Sequence, residues 1–123
     1  MIRHIAHWGP AVACAALIFA LSHQSDPPGA EWFAAYDYVV HFLEFGVFAL
    51  TLVWGATAGV RYSLTIKSAA AVCAGALLYA LSDEWHQSLV PNRDASLLDV
   101  AADAVGSITS VIIVYRSGQG KLR

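Results

Sequence analysis

This sequence is short of charge. Only 13% of its 123 residues are Asp, Glu, Lys or Arg, against roughly 25% in an ordinary soluble domain. Hydrophobic residues make up 58%. A small water-soluble domain of that composition would have to expose large apolar patches, so lipid is the better solvent for it. Net charge is also small, at −2, and no basic stripe with interleaved aromatics is present, which argues against nucleic acid as a partner. Cysteine is scarce too. Cys14 and Cys73 both fall inside apolar runs and read as reduced packing residues, neither a disulfide nor a metal site.

Long apolar runs take the place of charge. A membrane-spanning helix needs about 20 mostly apolar residues. Four stretches qualify, at about 5–24, 37–59, 66–90 and 95–115. The links between them are short. Pro27-Pro28-Gly29 stops a helix in the first link, and Pro91-Asn92-Arg93 reads as a turn in the third, with Asp94 placed to cap the fourth helix. The expected fold is an all-α, four-helix transmembrane bundle forming a single domain over residues 1–123. The first stretch can also be read as a cleavable leader, with Arg3, an apolar run and Ala20-Leu21-Ser22 as a small-residue cleavage site; three spans would then remain.

The few charges are sorted by side. Arg3, Arg61, Lys67, Arg116, Lys121 and Arg123 flank one face of the expected membrane. All nine acids lie toward the other face: Asp26, Glu31, Asp37, Glu44, Asp83, Glu84, Asp94, Asp99 and Asp103. Arg93 is the one basic residue among them. Lys and Arg collect on cytoplasmic flanks, so both termini are expected in the cytoplasm. Tyr36, Tyr38 and Trp85 are then expected at the outer interface and Tyr115 at the inner one.

Spacing gathers the acids further. At about 1.5 Å per residue, Glu44, Asp83 and Asp103 sit at a similar depth in the outer third of the hydrocarbon. Three-four spacing puts Asp37, His41, Glu44, Phe48, Thr51 and Gly55 on one face of the second helix. It does the same for Ala69, Cys73, Ala76, Ala80, Asp83 and Gln87 on the third, and for Ser96, Asp99, Asp103, Gly106 and Ser110 on the fourth. The first helix is expected to offer Ala13, Ala16, Ala20 and His23, with Ser22 and Gln24 beside them. Small residues allow close helix approach in membranes. The expected product is a polar pocket open to the outside. Ionised groups inside a membrane are costly and are usually paired or functional.

Two segments carry a specific resemblance. Ser82-Asp83-Glu84-Trp85-His86-Gln87 through Pro91, Arg93, Ser96 and Asp99 resembles the D-E-x-x-Q-x-x-x-P-x-R-x-x-S-x-x-D signature of VanZ-like membrane proteins. Asp37-Tyr38-Val39-Val40-His41-Phe42-Leu43-Glu44-Phe45 resembles that family's D-K-x-x-H-F-x-E-[YF] segment, and Ser22–Ser25 its S-x-Q element. Three positions depart from the pattern. Tyr38 stands where Lys is usual, Asn92 where Gly is, and Asp103 where Asn is, which adds a charge to the pocket. The resemblance implies a small integral protein of the bacterial cytoplasmic membrane, linked to tolerance of teicoplanin, a lipid-tailed glycopeptide.

The ligand-pocket candidates are His41, Glu44, Asp83, Glu84, Gln87, Arg93, Ser96, Asp99 and Asp103. His41, Glu44 and Asp99 are also candidate ligands for a divalent metal. Each candidate has a plainer reading: packing hydrogen bonds for His41 and Glu44, a solvated helix end for Glu84, an interfacial imidazole for His86, an ion pair to Asp99 or Asp83 for Arg93, a cap for Ser96. Three function classes stay open. One is a site that binds or modifies an amphiphile of the envelope, such as a lipid-linked precursor or a lipoglycopeptide. Another is a non-catalytic accessory protein bound to a partner membrane protein. The third is a proton- or ion-coupled transporter, disfavoured by the nearly complete lack of polar residues in the inner halves of the spans.

Overall fold

A computed structural model describes residues 6–25 and 36–119. Arg3, Asp26, Glu31, Lys121, Arg123 and the Pro27-Pro28-Gly29 stop lie outside the described residues. Among the described residues, four helices account for the fold: α1 Gly9–Ser22, α2 Asp37–Ala56, α3 Ile66–Gln87 and α4 Leu97–Gln119. The last three are long and apolar enough to cross a membrane. α1 is shorter than the sequence suggests: its 14 residues rise about 21 Å, less than the hydrocarbon thickness of about 30 Å. Pro10 sits in its first turn, where a missing N–H costs no intrahelical bond.

The distribution of polarity is the reverse of a soluble protein. Asp103 and Ser107 are almost fully buried, while Val12, Leu78, Leu98 and Ile113 face outward. Tyr36, Tyr38 and Trp85 are also exposed. Such a surface suits lipid and leaves the interior to hydrogen bonds.

α2 and α4 make the most extensive helix pair, and glycine explains it. A Cβ on Gly106 would collide with the Phe42 carbonyl, and one on Gly46 would lie 3.2 Å from Ser110 Oγ. The small-residue face expected on α4 is the buried one: Asp99, Asp103, Gly106 and also Ser107, whose Oγ donates to Phe45 O at 3.2 Å. On α3 the expected face is equally visible, with Ala69, Ala76, Ala80, Asp83 and Gln87 buried. α1 corrects the sequence reading. Ala11, Ile18 and Ser22 point inward, whereas Ala13, Ala16, Ala20 and His23 are exposed. A helix apolar on every side gives periodicity nothing to find.

Two apolar clusters fill the interior below the polar layer. Ile18, Phe45, Phe48, Ala76 and Ala80 form one, with Cys14 packed against it. Ala49, Val53, Leu64, Ala69, Val72 and Val111 form the other, with Cys73 against it; both cysteines are free. Tyr79 ties α3 to α1 by donating to Ala15 O at 2.6 Å.

The connections set the register. Thr65 caps α3 by accepting from Ser68 N at 3.1 Å. The link before it bends through three residues of positive φ, Ala58, Gly59 and Val60. The third link turns as expected: Arg93 N donates to Val90 O at 3.2 Å, and Asn92 takes φ 63°, a conformation Asn tolerates better than most residues. Of the two caps that the sequence offers for α4, Asp94 and Ser96, the structure uses Ser96. Ser96, immediately before the helix, accepts from Leu98 N at 3.2 Å, so Ser96 serves as the cap and Asp94 does not.

Candidate functional site

One end of the bundle carries a layer of buried polar side chains. His41, Asp83, Glu84, Gln87, Asp99 and Asp103 are all buried. They form three linked groups.

The first group joins α2 to α4. His41 Nδ1 lies 3.0 Å from Asp103 Oδ1, and His41 Nε2 lies 3.9 Å from Asp37 Oδ1. A carboxylate only accepts, so Nδ1 carries the proton in this contact and Nε2 is turned to Asp37. Single oxygens or nitrogens of Asp37, His41 and Asp99 approach within 4.8 Å of one another. These are the described residues best placed to share a cation. Glu44, which the sequence suggested as a ligand beside His41 and Asp99, is not in that group and sits one turn deeper on α2.

The second group joins α3 to α1. Asp83 Oδ2 accepts from Ser22 Oγ at 2.8 Å and from Gln87 Nε2 at 3.0 Å, and Gln87 Nε2 also reaches Ser22 Oγ at 3.4 Å. In the third group, Glu84 on α3 accepts from the Ser96 backbone N at 2.7 Å and so fixes the start of α4. Glu84 is therefore a buried strut, not the solvated helix end that its position suggested.

Arg93 takes neither of the ion pairs considered for it. Among the described residues it lies within ion-pair distance of no carboxylate; its Nη2 donates instead to Leu21 O at 3.2 Å. His86 stays out of the carboxylate layer. Its Nε2 lies 3.2 Å from His23 Nδ1, and both rings stack with Phe19. Spacing could not reveal that contact, because it depends on how α1 lies on α3.

The layer is under-satisfied. Asp83 Oδ1, Glu84 Oε1, Asp103 Oδ2 and Arg93 Nε are buried without a hydrogen-bond partner among the described residues. Buried polar atoms are normally paired, and each exception needs a reason. A cavity of about 130 Å³ lies beside them, bordered by Ser22, Asp37, His41, Glu44, Gln87 and Arg93; of the residues with unpaired atoms, Arg93 is in its lining. Leu21 and Glu44 line this cavity and also an apolar groove of about 250 Å³ between α1 and α2, walled by Cys14, Leu17, Ile18 and Val47. A second apolar groove, about 510 Å³, runs between the N-terminal halves of α2 and α4 along Tyr38, Phe42, Leu98 and Val105.

No curated protein and no solved structure shows a significant match to this chain. The VanZ/LLP1 family profile matches residues 15–117, which takes in all three polar groups and both signature segments. The chain belongs to the VanZ/LLP1 family of membrane proteins.

Proposed function

We propose that the polar cavity receives the headgroup of an amphiphilic cell-envelope ligand while an adjoining groove takes its tail. The chain is a multi-pass protein of the bacterial cytoplasmic membrane, both termini lie inside, and the cavity opens at the extracytoplasmic leaflet. The ligand class is a lipid-linked envelope precursor or a lipid-tailed glycopeptide of the teicoplanin type. This ties the protein to glycopeptide tolerance.

One observation carries the reading: Leu21 and Glu44 border both the polar cavity and the apolar groove. A molecule with a polar head and an alkyl tail fits such a junction. The lining says what kind of head. Asp37 and Glu44 offer carboxylate oxygens, suited to hydroxyls or amines, and Arg93, whose Nε is without a partner among the described residues, offers a donor suited to a phosphate or carboxylate. The same groups could serve acid–base chemistry on a bound headgroup, with His41 and Glu44 nearest the cavity. Basic flanks at Arg61, Lys67 and Arg116 support the orientation.

Native mass spectrometry of the detergent-purified protein tests this. A stoichiometric lipid, or added teicoplanin, bound by the wild type and lost from Glu44→Gln and Arg93→Gln is the expected result. Absence of any bound amphiphile in the wild type would favour the accessory-protein reading, in which the buried carboxylates only fix packing.

A further inference from the structure

Asp37, His41 and Asp99 form a constellation whose geometry points beyond packing. We propose that they bind one divalent cation of the Mn²⁺ or Zn²⁺ class, with Asp103 orienting His41 from behind. This deepens the headgroup-site reading above and rests on it for the role of the ion.

The ligand atoms come first. One atom from each of the three side chains lies within 4.8 Å of the other two. Three ligands around one ion sit about 3.0–3.6 Å from one another, given metal–ligand distances near 2 Å, so the closure required is at most about 1–2 Å. Two carboxylates and one imidazole make a donor set between hard and borderline, which suits Mn²⁺ or Zn²⁺ better than Ca²⁺. Three protein ligands leave coordination positions open for water or a headgroup oxygen.

The second observation is independent of the cluster's acidity. Asp103 is fully buried, with 0% of its surface exposed. Its Oδ1 holds the Nδ1 side of His41 at 3.0 Å, which leaves Nε2 as the nitrogen facing Asp37. A carboxylate behind a metal-bound histidine fixes its tautomer in this way. The other oxygen of Asp103, Oδ2, is buried and unpaired among the described residues. Three carboxylates crowd one imidazole here, and Arg93, the nearest basic residue in sequence, is bonded elsewhere. A divalent cation supplies the missing positive charge without requiring any carboxylate to stay protonated. Helix packing makes the arrangement rigid: Gly106 lets α4 approach the Phe42 backbone, one residue from His41.

The test is titration of the full-length protein in detergent, with Mn²⁺ followed by electron paramagnetic resonance and Zn²⁺ followed by a competing fluorescent chelator. One ion per chain is expected. Asp37→Asn, His41→Gln and Asp99→Asn should abolish it, and Asp103→Asn should weaken it about 10–100-fold. Asp94→Asn, an exposed acid outside the cluster, should leave affinity unchanged. Asp37 is about half exposed at a helix start, so Asp37→Asn reads the site even if the buried variants fail to fold. Binding of neither ion, or equal loss in Asp94→Asn and Asp37→Asn, overturns the proposal. Retention of the amphiphile by protein that binds neither ion would sink the metal site alone. A bound ion with no retained or added amphiphile would sink the headgroup reading alone.

Discussion

Single atoms in the polar layer explain why these acids are kept among apolar helices. Asp83 accepts from Ser22 and from Gln87, and so fastens α1, the shortest helix, to α3. Asp83→Ala leaves both buried donors without their acceptor. The expected cost is about 1–2 kcal/mol, since interhelical hydrogen bonds in membranes are individually modest. Asp83→Asn keeps an acceptor oxygen and should cost less. Unfolding of the purified variants in a graded denaturing detergent checks the order; equal stability for Asp83→Ala and wild type would show that the triad does not hold α1. Gln87 and Ser22 need no ligand role in this account, although both face the cavity.

Glycine governs the element scale. Gly106 has no room for a Cβ against the Phe42 carbonyl, so Gly106→Ala must push α2 and α4 apart. Overpacking of this kind costs typically 1–3 kcal/mol. The same shift would pull His41 away from Asp103. The variant is therefore expected to lose stability and ligand together, measurable as a lower melting temperature in detergent and weaker amphiphile retention. Full retention at reduced stability would separate the packing from the site. How far these elements could be read in advance depended on contrast. α3 and α4 alternate small or polar residues with Leu, Val and Ile, so their buried faces follow from spacing alone. α1 has no such contrast, and its inward residues, Ile18 and Ser22, become visible only in the packed structure. The proposed metal cluster shows a similar limit. The sequence reading offered His41, Glu44 and Asp99, whereas the three side chains that come together are Asp37, His41 and Asp99, because the rotation of α2 against α4 decides which turn faces Asp99.

For the whole molecule, an apolar exterior around a core that holds a buried polar layer identifies the solvent but not the direction. The basic flanks supply the direction. With Asp94→Cys on the outer link and Tyr62→Cys on the inner one, both exposed, a membrane-impermeant maleimide applied to intact cells should label the first and spare the second. The reverse pattern would put the cavity in the wrong leaflet for an envelope ligand. Sequence spacing was enough to gather the acids at one end of the bundle. It could not show that four buried polar atoms lack partners among the described residues, because pairing depends on side-chain geometry across helices. The central claim is supported by the polar cavity that Arg93 and Glu44 border and by the apolar groove that shares Leu21 and Glu44 with it. The measurement closest to it is native mass spectrometry of the wild-type protein beside Glu44→Gln and Arg93→Gln. The account predicts one amphiphile per chain in the wild type and its loss from both variants with the bundle still helical. A wild type free of amphiphile that also fails to take up teicoplanin or a lipid-linked precursor would contradict it.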